Sequence, residues 1–543
     1  MLAVVPAAHA QIPSSDLPGR ERERFSEQPP AKSKPLGSTL SLTTAIAPPG
    51  AAALGVTIVA VRVLGSTIYD SEELASLIGD TSKLASVADI YSLAQKITAK
   101  YGNDGFVLSR AIVPPQELDP QHATVTIQIV EGYIDRVVWP EALTGGRGFG
   151  SYYSMKITSE RPANIKTIGR YLLLAGDLPG SEVSSRFEAS VDHPAASTLI
   201  VDVRATPLER QVRVDNRGTE PRGPWEFQAS ATFNNAWHLW ESTTFSIAGT
   251  TELKELHYAA VDYKQTLNGE GVTISASTNY SWGSPGTAPL EAIEFASKSF
   301  ALNFGLSVPI VRERERNVTL SATAFLSNDE GDTLGAPSSV DRLRGIRFRA
   351  DFDRANSSGA IAQGSLVFSQ GIEGLGSTTN GNSLASRENG RVDFSNLEGS
   401  LSLTKPLAGG FSAFGAVQGQ YAFTPLLAPE ECGYGGKDIG HAFDPSEITG
   451  DSCWSVSGEL RANVPAKSLP ILDTLQVYAS IDYGAVYRLA PAAGTPLAQD
   501  GSSAGGGVRL SKGVFNADLS AMKPLSGRDD DGWRFFFSAA ARF

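Results

Sequence analysis

Cysteine and methionine are scarce in this chain of 543 residues, which holds two cysteines and three methionines. Cys432 and Cys453 stand at the two ends of one glycine-rich, acidic stretch. A low and even count is compatible with an oxidising compartment and a single structural disulfide, which we favour over two free thiols. The six histidines are scattered, and Cys432, His441 and Cys453 have no standard metal-ligand spacing, so we expect no metal site.

Positively charged residues are also fewer than negatively charged ones. The 46 lysines and arginines are outnumbered by 58 acids, giving a net charge of −12. A nucleic-acid-binding protein carries a basic surface, so we expect no nucleic-acid partner. The chain has no GxxxxGK[ST] phosphate loop and no catalytic constellation with convincing spacing. We therefore expect a protein that is not an enzyme and uses no cofactor.

Long hydrophobic runs are missing as well. The best candidate for a membrane helix, residues 44–61, contains Pro48-Pro49-Gly50 and is interrupted well short of the roughly 18 apolar residues that a helical span requires. Residues 1–10 end in Ala8-His9-Ala10, which predicts a signal peptide. Its basic n-region is missing, and we expect that the start codon is assigned too late.

Several segments can be distinguished between the signal peptide and the C-terminus. Residues 11–28, which include RERERF, predict a short helix that is polar all round, with no apolar face worth burying. Residues 29–54 are rich in Pro, Ala, Ser and Gly and predict a flexible linker. Residues 55–133 and 134–208 each predict a small module with the order β-α-α-β-β.

From residue 209 to residue 543 the pattern changes to long strands separated by turns. Apolar and polar residues alternate in WEFQASATFNN, and the chain ends in WRFFFSAAARF, where Phe535, Phe537 and Phe543 share one face. A single sandwich rarely needs so many strands, whereas a closed barrel leaves no unpaired edge in lipid. At roughly 20 residues per strand and turn, we expect about 16 antiparallel strands. The fold class is therefore α+β modules followed by a transmembrane β-barrel.

Motifs along nearly the whole chain resemble one family. YGNDGF (101–106) followed by VPPQEL, LLLAGDLPG (172–180), VDNRGT (214–219) and the FFFSAAARF ending are similar to motifs of two-partner secretion transporters, the haemolysin secretion/activation class. The resemblance implies that residues 55–133 and 134–208 are POTRA domains and that residues 11–28 are a plug helix in the barrel pore. It also implies that the terminal phenylalanines form the signal read by the barrel assembly machinery during biogenesis.

The stretch between the cysteines resembles the transport loop of this superfamily, which folds back into the barrel. The family carries an arginine near the loop tip, but the tip here is Gly440-His441-Ala442-Phe443-Asp444. The family's arginine pairs with an acid on the inner wall, in a motif like Asp-x-Gly. Asp482 and Gly484 match that motif, and Asp482 alternates with outward apolar residues. The resemblance thus implies a contact between His441 and Asp482, with the two cysteines as a clasp across the base of the loop.

The function implied by the resemblance is export of one large partner exoprotein, of the haemolysin or adhesin type. The expected location is the outer membrane of a Gram-negative bacterium, with the barrel in lipid and the POTRA domains in the periplasm. The POTRA domains would recognise the exoprotein, and the barrel would translocate it without ATP. The alternatives are a factor that assembles other outer-membrane proteins and a passive porin.

Overall fold

The computed structural model describes residues 16–25, 30–35, 45–144, 148–464, 471–491 and 495–543. The predicted signal peptide lies outside these residues. The chain divides into two compact units, one formed by Leu36–Ala205 and the other by Met1–Pro35 together with Thr206–Phe543. The first helix, α1 (Glu21–Phe25), belongs to the second of these units. No helix within the described residues is long and apolar enough to cross a bilayer.

The first module of the smaller unit has the predicted β-α-α-β-β order. Its elements are β1 (Ile58–Leu64), α2 (Ser71–Ile78), α3 (Val87–Asn103), β2 (Arg110–Ile112) and β3 (Ala123–Val130). β3 is the central strand, parallel to β1 and antiparallel to β2. Asp70 and Ser86 cap the two helices by accepting hydrogen bonds from backbone amides of the first turn. The core forms where α3 buries Ile90 and Ile97 against β3.

The YGNDGF motif closes one end of this module. The hydroxyl of Tyr101 donates a hydrogen bond to Glu131 at 2.8 Å, and Glu131 also accepts one from the backbone amide of Thr67 at 2.8 Å. Burial, and further the hydrogen bond to Glu131, raise the pKa of Tyr101. Gly105 has a φ of 98°, and a Cβ there would lie 2.6 Å from Oδ1 of Asn164 in the next module. This glycine therefore allows the two modules to meet closely.

The second module has the same general plan with an additional short helix. Its elements are β4 (Tyr133–Val138), α4 (Glu141–Thr144), α5 (Gly150–Thr158), α6 (Ile165–Gly176), β5 (Ser181–Ala189) and β6 (Ala196–Ala205). β6 is central, parallel to β4 and antiparallel to β5. α6 ends at Gly176, as the sequence predicts, and buries Ile168, Tyr171 and Leu174.

The rest of the chain forms a closed barrel of sixteen strands, which confirms the predicted fold class. The first eight are β7 (Leu208–Asp215), β8 (Glu226–Asn234), β9 (Glu241–Thr250), β10 (His257–Thr266), β11 (Thr273–Gly283), β12 (Ala296–Arg312), β13 (Arg316–Thr333) and β14 (Ala336–Ala355). A short helix, α7 (Ala288–Ala292), precedes β12. Each strand pairs antiparallel with its neighbour in sequence.

The remaining barrel strands continue this order until the last strand pairs with the first. They are β15 (Ile361–Gly371), β16 (Ser395–Pro406), β17 (Phe411–Ala422), β20 (Ser452–Val464), β21 (Thr474–Tyr487), β22 (Ala498–Lys512), β23 (Phe515–Ser526) and β24 (Arg534–Arg542). Two short strands, β18 (Cys432–Tyr434) and β19 (Ile448–Gly450), pair with each other outside the barrel sheet. The seam between β24 and β7 closes the barrel.

Side chains alternate between the outside and the lumen as expected. On β21, Val477 and Ile481 are 44% and 60% exposed, whereas Tyr478 and Asp482 are 5% and 1% exposed. The apolar side chains therefore cover the outer wall, where lipid would contact them, and the polar ones line the lumen. The connection 423–451 lies at one end of the barrel, called the loop end here. The other end, where β7 begins, is called the turn end.

Candidate functional site in the barrel lumen

Residues 423–451, called the in-folded loop here, fold back into the lumen. β18 and β19 pair to form its stem, with Cys432 opposite Gly450 and Tyr434 opposite Ile448. Beyond the stem lies the tip. Two of its residues, Ala442 and Phe443, are fully buried. The tip consists of the five residues singled out in the sequence, Gly440, His441, Ala442, Phe443 and Asp444.

Two glycines of the wall make room for the aromatic residues of this loop. A Cβ on Gly484 of β21 would lie 2.2 Å from the ring of Tyr434, and a Cβ on Gly501 of β22 would lie 2.7 Å from the ring of Phe443. The rings of Tyr434 and Phe443 pack edge to face, with centroids 5.0 Å apart. The predicted wall glycine, Gly484, is thus a point at which the loop touches the barrel backbone. Larger side chains at these two positions would displace the tip.

The tip and the predicted wall acid are in direct contact. Nδ1 of His441 lies 2.8 Å from Oδ2 of Asp482, and the backbone amide of His441 donates to the same oxygen at 3.1 Å. Ser503 of β22 donates its hydroxyl to that oxygen at 2.7 Å. Both partners are buried, with His441 5% and Asp482 1% exposed. Three donors on one carboxylate oxygen hold the tip at this point of the wall.

The two cysteines connect the loop to the wall. Cys432 begins the stem strand β18, and Cys453 lies on the barrel strand β20. The structure joins them in a disulfide, with the two Cα atoms 6.2 Å apart. The covalent bond thus lies at the base of the loop, away from the His441–Asp482 contact.

Sequence reasoning missed a second set of contacts, in which one arginine of the inner wall and one arginine of another connection bind acids of the loop. Arg347 of β14 donates to both carboxylate oxygens of Glu430, at 2.6 and 2.8 Å. Arg387, in the connection 372–394, donates to both oxygens of Asp451 at 2.6 and 3.1 Å. The sequence did offer one signal for these contacts, which is the number of acids in this loop. A buried carboxylate requires a cationic or hydrogen-bonding partner.

The N-terminal segment, residues 16–25, also lies inside the barrel. The guanidinium of Arg222, in the connection after β7, is fully buried and contacts Glu21 at 3.0 Å and Asp16 at 3.5 Å. Arg24 contacts Glu226 of β8 at 3.4 Å. These charges are buried, and each has an oppositely charged partner that offsets its desolvation.

The segment contains the predicted short helix, and one expectation about it is corrected. Within the described part of 11–28, only Glu21–Phe25 forms a helix. Phe25 is 6% exposed, and its ring packs 4.8 Å from that of Tyr258 on β10, beside Ala248 and Leu256. The polar pattern had predicted no apolar contact worth burying, because it ignored the single aromatic residue at the end of the helix.

Comparison with known proteins decides the family. The model of the family described as haemolysin secretion/activation protein ShlB/FhaC/HecB matches residues 196–510, more than half of the chain. The chain belongs to this family. A second model, the ShlB-type POTRA domain, matches residues 56–132, which contain the first module.

The chain is also similar to curated relatives and to solved structures. The chain is 23% identical over 195 residues to the heme/hemopexin transporter protein HuxB of Haemophilus influenzae, a match that spans 36% of the chain and only 34% of that relative. CdiB from Escherichia coli has the same fold, with a TM-score of 0.70, 17% identity and 94% of each chain covered. CdiB from Acinetobacter baumannii gives a TM-score of 0.61 at 17% identity, covering 96% of this chain and 95% of that one.

Family membership also orients the barrel. Proteins of the ShlB/FhaC/HecB family are outer-membrane barrels with POTRA domains in the periplasm, and this chain is placed accordingly. β7 starts at the turn end directly after the second POTRA module, so the turn end faces the periplasm. The in-folded loop therefore starts from the extracellular side.

The predicted flexible linker, residues 29–54, is partly held in place. Its residues 36–44, like residue 29, lie outside the described residues. The backbone amide of Lys34 donates to the carbonyl of Arg314 at 2.8 Å, and that of Ser33 donates to Asp353 at 2.5 Å. Both partners lie near the turn end. Residues 16–25 thus contact the barrel near the loop end, and Ser33 and Lys34 contact it near the turn end. Ser33 and Lys34, within the predicted linker, therefore make backbone hydrogen bonds to the barrel.

Proposed function

We propose that this protein exports one large exoprotein, of the haemolysin or adhesin type, through the lumen of its barrel to the cell surface. The observation that carries the proposal is the way in which the lumen is filled. The in-folded loop and the N-terminal segment occupy it through ion pairs and hydrogen bonds, such as Arg222–Glu21 and His441–Asp482. Water and a passing polypeptide can replace such contacts, whereas a continuous apolar core would resist opening.

Recognition of the exoprotein is assigned to the POTRA modules. β5 of the second module is nine residues long and, among the described strands, pairs on only one side, with β6. An extended segment of the exoprotein can add to the other edge through backbone hydrogen bonds. Outward residues of this strand, including Glu182, Arg186 and Glu188, would then select among segments by charge.

The energy for export is assigned to folding of the exoprotein outside the cell. The periplasm holds no ATP supply, and a chain that folds after it emerges cannot slide back as an unfolded polymer. Displacement of residues 16–25 from the lumen is the step that opens the path in this scheme.

The experiment first looks beside this gene for an open reading frame that encodes a long exoprotein, and then measures export of that exoprotein into the culture medium. Deletion of residues 56–208 should abolish its export and leave the abundance of other outer-membrane proteins unchanged. Arg316→Ala is the control, because it removes one charge at the start of β13 on the periplasmic rim, and it should export normally. A general fall in outer-membrane proteins after the deletion would instead support an assembly factor. Unchanged export would refute recognition by the POTRA modules.

A further inference from the structure

The seam that closes the barrel has a short ladder. β24 and β7 share five register pairs, from Arg542–Gln211 to Ser538–Asp215. The ladders on either side, β23–β24 and β7–β8, have eight each. Beyond these pairs, the backbones of Arg210 and Phe543 exchange two hydrogen bonds at the turn end. At the loop end, the backbone amide of Asn216 donates to the carbonyl of Phe537 at 3.2 Å, and its side chain donates to the carbonyl of Phe535 at 3.0 Å and accepts from the amide of Phe537 at 2.7 Å.

Two arginines lie at this end of the seam, one on each side of it. Arg217 follows β7 and Arg534 begins β24, and both lie over the ring of Phe536, at 4.2 and 5.2 Å from its centroid. Each also reaches the tip of the in-folded loop. Arg217 donates to the carbonyl of His441 at 3.4 Å, and Arg534 donates to that of Ala442 at 2.8 Å.

The acids that follow the tip complete the contact. Asp444 accepts from Arg534 at 2.5 Å, and Glu447 pairs with Arg528, in the connection before β24. Glu447 also accepts a hydrogen bond from the backbone amide of Asp444 at 2.8 Å, which orients both acids. These are charge-assisted contacts between arginines and carboxylates.

We propose that the tip of the in-folded loop holds the barrel seam closed, with Arg534 and Asp444 as the positioning residues. The tip bridges the two sides of the seam through Arg217 and Arg534, and it bridges from there to β21 and β22 through Asp482 and Ser503. The charges at the seam are arranged in the opposite way to those of the His441–Asp482 contact, because at the seam the wall provides the cations and the loop provides the acids. We call one group of residues the seam anchor: Arg217, Arg528, Arg534, Asp444 and Glu447. The seam anchor attaches the loop to the wall through charged groups, in a chain whose loop tip carries a histidine in place of the family's arginine.

The test is hydrogen–deuterium exchange of the full chain in liposomes, with no exoprotein present. Arg534→Ala and Asp444→Asn should each speed exchange in Arg534–Arg542 and Leu208–Asp215 by about tenfold, the effect of losing one charge-assisted hydrogen bond. The double exchange Asp444→Arg with Arg534→Asp should restore slow exchange. Arg349→Ala, which breaks the lumen pair with Asp351 on β14, is the matched control and should leave the seam unchanged.

Asp444→Asn changes only the loop, so it decides the matter if Arg534→Ala fails to insert into the membrane. Unchanged exchange at the seam in Asp444→Asn, or a double exchange that protects no better than the single variants, would overturn the proposal. Because no exoprotein is present, failure here is distinguishable from failure of the proposed export, which is measured in the culture medium.

Discussion

His441 binds one carboxylate oxygen of Asp482 twice, through its backbone amide at 3.1 Å and through its ring nitrogen at 2.8 Å. The backbone bond does not use the side chain of residue 441. The ring bond joins one nitrogen to one oxygen, whereas an arginine can bind both oxygens of a carboxylate through two parallel hydrogen bonds. The loop contact in this chain is therefore divided into a part made by the backbone and a part made by the histidine side chain.

Gly484→Ala should displace the loop from the wall. The added Cβ would lie 2.2 Å from the ring of Tyr434, and neither a buried ring nor the strand backbone can yield that much without losing contacts. We expect a loss of about 1–3 kcal/mol in the free energy that keeps the loop inserted. Faster proteolysis within the loop is the measurement.

Gly458→Ala is the matched control for this variant. Gly458 lies on the neighbouring strand β20, and a Cβ there has ordinary contact, with its nearest atom, in Ile481, at 3.9 Å. The loop of Gly458→Ala should be cleaved at the same rate as the loop of the unmodified chain. If the loop is cleaved at the same rate in both alanine variants, the close approach of Tyr434 does not explain why residue 484 is a glycine.

Arg222→Ala should release the N-terminal segment from the lumen. The substitution leaves Glu21 and Asp16 buried without this cation, and breaking a buried pair of this kind costs about 3–5 kcal/mol. Ion conductance through single barrels in a planar bilayer should rise, since the segment no longer blocks the path. Arg316→Ala is the control, because it removes only an exposed pair with Glu313 at 3.2 Å. Equal conductance in both variants would show that Arg222 does not retain the segment.

Gly105→Ala should loosen the contact between the two POTRA modules. The new Cβ would collide with the side chain of Asn164, which donates to the carbonyl of Asp104 at 3.2 Å and caps α6. The φ of 98° adds backbone strain. Hydrogen exchange in the first turn of α6 should increase. Gly169→Ala, with nothing within 4 Å of its Cβ, should leave α6 as protected as before, and an unaffected α6 in Gly105→Ala would argue against the contact.

The local patterns predicted the barrel well. Alternation on β21 correctly separated Val477 and Ile481 from Tyr478 and Asp482, because a strand places successive side chains on opposite faces. β5 was missed. Its sequence, SEVSSRFEA, offers only Val183 and Phe187 as apolar positions, because its outer face is exposed.

The contacts within the lumen were much harder to predict. Asp482 was found because it stands on a strand whose other face is apolar, and because a family resemblance supplied its partner. Arg534 and Asp444, by contrast, are 90 residues apart in sequence, and nothing local selects one arginine among many as the partner of a given acid. The same holds for Tyr434, since the space it takes from Gly484 exists only once the loop is folded into the barrel.

The claim that the exoprotein passes through the lumen is tested most directly by photocrosslinking during export, at two neighbouring positions of β17. Gln418 lines a lumen cavity beside Arg20 and Arg24, whereas Val417 is 45% exposed on the outer wall. With a photoreactive amino acid at residue 418, the exoprotein should crosslink to the barrel, and at residue 417 it should not. Crosslinks to the exoprotein at residue 417 and none at residue 418 would contradict passage through the lumen.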